Sequence, residues 1–167
     1  MAVGAAATVA GVAVAWRHWR ADNDAAGEAL WSMQFDRPEG GKLVMANFRG
    51  KPLLINFWAT WCVPCVRELP ALQRFQREQA PRGWRVIALA VDQPVPVIEF
   101  VNRFKLELTV ALAGVDGLEW QRAMGNDKGG LPFSLVLDGT GRARHRKLGE
   151  TTLEDLTRWA GEITPAT

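Results

Sequence analysis

Tyrosine is absent from this chain and cysteine nearly so, with two cysteines, Cys62 and Cys65, in 167 residues. So few cysteines exclude the multi-bridge disulfide scaffold that holds small secreted folds together. Histidine is equally scarce. His18 and His145 lie far from the cysteines, and no second cysteine pair completes a tetrahedral site, so no metal is expected. Neither sign of charge is in excess, with 20 basic against 18 acidic residues and a net charge of +2. That balance leaves no footprint for a polyanion, and nucleic acid is not an expected partner. Beyond the first residues there is no internal repeat and no low-complexity segment.

Long apolar runs are also missing, with one exception at the amino terminus. Ala2 to Ala15 contains only Ala, Val, Gly and one Thr, and Trp16-Arg17-His18-Trp19-Arg20 ends it abruptly. A spanning helix needs roughly 20 apolar residues, whereas this run has the length of a signal-peptide core. Ala13-Val14-Ala15 offers a small-residue cleavage site. A basic segment ahead of the run is missing, and Arg17 and Arg20 follow it, an arrangement that the positive-inside rule reads as cytoplasmic retention. The division carried forward is a signal peptide or membrane anchor over 1–20, a linker over 21–29 and a single folded domain over 30–167. An Ala-rich tail is the plainer alternative for the leader.

What is present is a 48% hydrophobic body able to bury one full core. Apolar groups at Leu30 to Phe35 and Leu43 to Met45, separated by Pro38-Glu39-Gly40-Gly41, predict an N-terminal β-hairpin. Leu53 to Trp58 and Trp84 to Val91 read as strands buried on both faces. Leu69, Leu72 and Phe75 give Val66 to Gln79 helical periodicity, and Val97 to Phe104 repeats the pattern. A short strand at Leu108 to Leu112 and a helix around Leu118 to Met124 follow. Phe133 to Leu137 and Arg142 to Leu148 flank Asp138-Gly139-Thr140-Gly141, a hairpin signal, and a last helix starts at Thr151 or Thr152 with Glu154 in its first turn. The order βαβαβα followed by ββα predicts an α/β fold, a mixed central sheet with helices on both faces.

The two cysteines fall where the first buried strand gives way to a helix. Unpaired backbone N–H groups and the helix dipole favour an anion there, lowering a thiol pKa from about 8.5 into the range of about 3.5 to 7.5. Cys62 is the candidate attacking thiol. Two intervening residues bring Cys65 round by about one helical turn, close enough to attack a mixed disulfide on Cys62 and release the partner. Pro64 suits a first turn, where no N–H is needed, and Val63 and Pro64 together are expected to tune the redox potential. The pair also fits a static disulfide or half of a soft-metal site.

The stretch Asn56-Phe57-Trp58-Ala59-Thr60-Trp61-Cys62-Val63-Pro64-Cys65, followed by Glu68-Leu69-Pro70, resembles the TlpA/ResA-type thioredoxin-like proteins. Gly50-Lys51-Pro52-Leu53 ahead of it and Gly130-Leu131-Pro132-Phe133 late in the chain extend the resemblance over Leu30 to Ile163. It implies a thioredoxin-like fold and an extracytoplasmic thiol-disulfide reductase of the bacterial periplasm, membrane-anchored or exported. It implies no cofactor besides the Cys62/Cys65 disulfide itself. The implied partners are a cysteine-containing client protein, in cytochrome c maturation or copper-oxidase assembly, a membrane thiol electron donor, and the membrane itself through residues 1–20 where these are not cleaved.

By the same resemblance Pro132 is a cis-proline shaping the groove where a substrate strand pairs, Leu131 supplies backbone hydrogen bonds, and Glu68 helps move the proton of Cys65. A solvated acid in the first helical turns is the plainer reading of Glu68. Ordinary thioredoxins carry a buried aspartate at the position of Asn56, which leaves Glu68 more to do. Trp61 is expected on the recognition surface and Trp58 in the core. A Cu(I) metallochaperone and a thioredoxin-fold peroxidase stay open as alternative functions.

Overall fold

The computed structural model describes residues 29–114 and 116–163. The leader assigned to 1–20, and the linker up to residue 28, lie outside the described residues. Among the described residues no helix is long and apolar enough to cross a membrane.

Seven strands form one sheet: β1 (Gln34–Asp36), β2 (Lys42–Val44), β3 (Leu53–Trp58), β4 (Arg85–Ala90), β5 (Thr109–Leu112), β6 (Phe133–Leu137) and β7 (Ala143–Leu148). Their spatial order is β2-β1-β5-β4-β3-β6-β7. The central β3, β4 and β5 run parallel, while β6 lies antiparallel to β3 and β7 antiparallel to β6. Helices α1 (Val63–Gln79) and α2 (Pro94–Phe104) make the crossovers between the parallel strands, α3 (Gly117–Ala123) precedes β6, and α4 (Leu153–Glu162) closes the chain. The expected mixed sheet is observed.

Strand β3 is buried along its whole length because it sits between β4 and β6 with helices over both faces. Alternation then sorts its side chains. Leu54 and Trp58 join Leu69, Leu72 and Phe75 of α1, Val97 of α2, and Leu156 and Trp159 of α4 in one core. Leu53, Ile55 and Phe57 join Leu30, Trp31, Phe35, Met124 and Phe133 in the other, on the face covered by α3. Asn56 lies on the α1 face and is fully buried.

Local signals explain most element ends. Gly83, with φ of 86°, takes the left-handed conformation that closes the segment after α1. Thr152 caps α4 through a reciprocal capping box with Asp155. Three boundaries differ by three residues or more from the sequence reading. Helix α1 begins at Val63 and α2 at Pro94, three residues ahead of the expected starts at Val66 and Val97, since a first helical turn needs caps and a tolerated proline rather than a hydrophobic stripe. Ala29 to Trp31 is a helical turn, so the first hairpin strand is confined to Gln34–Asp36, paired with Lys42–Val44.

Candidate active site

Strand β3 delivers the chain to the site and α1 receives it. Cys62 is the N-cap of α1, and its Sγ accepts a hydrogen bond from the Cys65 N–H at 3.3 Å. The two cysteines form a disulfide with an S–S distance of 2.02 Å. Pro64 occupies the first helical turn as its fixed φ allows. Cys65 is completely buried under the helix, whereas Cys62 keeps 6% of its surface exposed between Trp61 and Val63, both largely in solvent. The sulfur that can meet a partner is therefore Cys62. Asp92, just beyond β4, accepts from both the Thr60 N–H at 2.9 Å and the Thr60 hydroxyl at 2.6 Å, pinning the turn that leads into Trp61.

Below the disulfide, Cys65, Glu68, Leu69, Leu72 and Phe75 form the buried stripe of α1, and one of the five is a carboxylic acid. Glu68 is 1% exposed, which overturns the solvated reading. Asn56 donates from Nδ2 to Glu68 Oε1 at 2.7 Å, and the Thr151 backbone N–H donates to Oε2 at 2.5 Å. Asn56 Nδ2 also donates to Ser134 Oγ at 3.1 Å, and Ser134 Oγ lies 3.0 Å from Thr151 Oγ1. This closed ring draws on β3, α1, β6 and the β7–α4 loop. Register places it: Asn56 and Ser134 are directly paired across β3 and β6, on the same face of the sheet.

Burial in this pocket pushes the Glu68 carboxyl up to about 7, against the lowering effect of the Thr151 and Asn56 hydrogen bonds. Glu150 adds to the rise and Lys147 opposes it. A carboxyl that gains and loses a proton near neutrality, three residues along the helix from Cys65, is suited to general acid–base work.

Beside Trp61 a groove of about 610 Å³ is lined by Val91, Asp92, Leu118, Gly130 and Leu131, among others. The peptide bond between Leu131 and Pro132 is cis, as the family resemblance implies. The loop before it is held from inside by Asn126, whose Nδ2 donates to Gln121 Oε1 and to the Gly130 carbonyl, both at 2.8 Å. The structure thus brings Trp61 and Leu131 to one groove, with Pro132 next in the chain, and gathers Cys62, Cys65 and Glu68 around the start of α1.

Sequence reasoning missed Ser134, Thr151, Asp92 and the Gln121–Asn126 pair. Asn56 and Ser134 had a signal, since each is the one polar residue in an otherwise apolar strand. Thr151 acts on Glu68 through its backbone N–H, for which no side-chain pattern exists.

Its sheet order and its cysteine pair between a central strand and the following helix make this chain a thioredoxin-fold thiol-disulfide oxidoreductase. The profile of the Redoxin family matches residues 25–159. Thiol-disulfide oxidoreductase ResA from Bacillus thuringiensis (strain Al Hakam) and from Bacillus anthracis are each 33% identical over 129 residues, covering 76% of this chain and 72% of the relative. Among solved structures, a thiol:disulfide interchange protein of the thioredoxin family from Chlorobium tepidum TLS aligns with a TM-score of 0.68 and 28% identity, over 78% of this chain and 92% of its own. StoA from Bacillus subtilis aligns with a TM-score of 0.62 and 25% identity, over 77% and 95%. The chain belongs to the Redoxin family.

Proposed function

We propose that the chain reduces disulfides of exported client proteins, with Cys62 as nucleophile, Cys65 as resolving thiol and Glu68 as proton acceptor. The observation that carries this reading is the position of the Cys62–Cys65 pair at the N-terminus of α1, with the edge-exposed sulfur first and the buried sulfur second. In the reduced protein the Cys62 thiolate attacks one sulfur of a client disulfide. The client S–S bond breaks, a Cys62–client S–S bond forms, and the other client sulfur leaves as thiolate. Glu68 takes the proton of Cys65, and the resulting thiolate attacks Cys62 Sγ. The mixed disulfide breaks, the second client thiolate leaves, and the Cys62–Cys65 bond closes. Two electrons pass from protein to client, and no cofactor beyond the cysteine pair is needed.

Trp61 and Leu131 offer the client an apolar groove, Pro132 fixes the strand behind it, and Val63 and Pro64 tune the thiolates they separate. A membrane thiol electron donor returns the two electrons. The domain works in the bacterial periplasm, brought there by residues 1–20 as signal or anchor, the linker over 21–29 separating them from the domain at 30–167. Client classes in keeping with the TlpA/ResA resemblance are cytochrome c precursors and copper-oxidase assembly proteins. Reduction of insulin or of a disulfide-bonded client peptide by the wild type and by Cys62→Ser tests the reading. The wild type is expected to turn over and the variant to be inert; equal rates contradict it.

A further inference from the structure

Asn56 Oδ1 is a buried carbonyl oxygen with no hydrogen-bond partner, while the Nδ2 on the same amide has two. Leaving a buried acceptor unpaired is destabilising, and a residue type that both gives and accepts has been placed where only its donor is used. The reason lies in which oxygen of Glu68 can carry a proton. Oε2 accepts from the Thr151 backbone N–H, a group that can only donate. Oε1, the oxygen facing Asn56, is then the better placed of the two to carry a proton. There it would meet Nδ2, donor against donor.

We propose that Asn56 is a positioning residue whose amide turns over with the protonation of Glu68, presenting nitrogen to the carboxylate and oxygen to the carboxylic acid. The rest of the ring can follow without moving a heavy atom. With Glu68 ionised, Nδ2 donates to Oε1 and to Ser134 Oγ, and the Ser134 hydroxyl donates to Thr151 Oγ1. With Glu68 protonated, Oε1–H donates to Asn56 Oδ1, the Ser134 hydroxyl also donates to Oδ1, and the Thr151 hydroxyl donates to Ser134 Oγ. The Ser134–Thr151 contact at 3.0 Å serves either direction. Only hydrogens and one planar amide change place, so Glu68 takes up and returns a proton without leaving a clash on its reactive oxygen. An aspartate at this position would confront Glu68 with a second acid, and an apolar residue would serve neither state.

Every other charge near the ring is held elsewhere. Arg67 of α1 pairs with Glu150 of the β7–α4 loop, and Lys147 of β7 pairs with Asp155 of α4, which also holds Arg158. Cys65, the remaining neighbour on α1, is held in the disulfide and carries no proton to titrate in the oxidised chain, and β6 contributes only the neutral Ser134. These groups are unchanged in an Asn56 variant, so a shift in Glu68 titration in that variant reports on the amide.

The catalytic meaning of this device rests on Glu68 taking the Cys65 proton, whereas the turning of the amide is observable without it. NMR titration of the oxidised full chain, following the Glu68 carboxyl carbon and the Asn56 side-chain NH2 resonances, tests it directly. In the wild type both are expected to move with one common midpoint. Because the turning amide serves both states, Asn56→Leu, close in size and unable to hydrogen bond, is expected to move the Glu68 midpoint by less than one pH unit, whereas loss of a fixed donor would raise it by a full unit, a tenfold change in proton affinity. Asn56 NH2 resonances that stay fixed through the Glu68 titration overturn the proposal, as does a rise of a full pH unit in the variant. The pH profile of client reduction separates the two claims. If the Asn56 resonances follow the Glu68 titration in the wild type and the rate profile shows no inflection at that midpoint, the amide proposal stands and the proton-acceptor role of Glu68 fails.

Discussion

The backbone N–H of Gly149 donates to the carbonyl of Pro132 at 2.8 Å, two residues before Thr151 donates to Glu68. One short loop therefore ties the end of the groove to the buried acid beneath the disulfide. Gly149 has φ of 101°, in the left-handed region, and nothing stands within 4 Å of the Cβ it lacks. Replacing it by alanine strains the backbone alone. Gly149→Ala is expected to lower stability by about 1–2 kcal/mol in urea unfolding; an unchanged midpoint would mean that the loop relaxes freely and holds neither partner.

Stability should depend on pH through Glu68. Its carboxyl ionises at about 7 in the folded protein, against an ordinary value of 4.5. Between those values the folded state holds a proton that the unfolded chain has released, so stability is greatest below the window and falls as pH rises through it. The full difference is roughly 3 kcal/mol. Glu68→Gln cannot ionise and is expected to lose this part of the slope. Denaturant unfolding at pH 5 and pH 8 checks it; parallel losses in wild type and variant contradict the burial argument.

Much of this architecture could be read from the residues, for identifiable reasons. Leu53–Trp58 and Phe133–Leu137 are strands with the predicted bounds because burial on both faces leaves a nearly continuous apolar run. Cys62 at a helix start follows from the strand before it and the proline after it. The pairing of Asn56 with Ser134 did not follow, because it depends on the register of strands 78 residues apart, which no local pattern encodes. Glu68 was ambiguous for a related reason: helical periodicity puts it beside Cys65, and only the sheet below decides whether that face is dry.

Trp61 is 68% exposed and lines the groove, so its loss should affect clients far more than folding. Trp61→Ala is expected to raise KM for a client peptide several-fold while stability stays within about 0.5 kcal/mol. Steady-state kinetics beside a denaturation curve separates the two. An unchanged KM would remove Trp61 from the recognition surface.

Thr152 caps α4 and pairs reciprocally with Asp155, which also holds Lys147. Thr152→Ala should cost about 1 kcal/mol through loss of the cap. Thermal unfolding of the oxidised protein measures it, and because Thr151 keeps its own bonds, client reduction is expected to persist in the variant.

Division of labour between the sulfurs is most directly read from the covalent complex that each single-cysteine variant retains. Incubated with a disulfide-bonded client, Cys65→Ser is expected to accumulate a mixed disulfide that peptide mapping locates on Cys62, while Cys62→Ser retains none. Accumulation on Cys65 in the Cys62→Ser protein, with none on Cys62 in the converse variant, would reverse the order of attack and contradict the account.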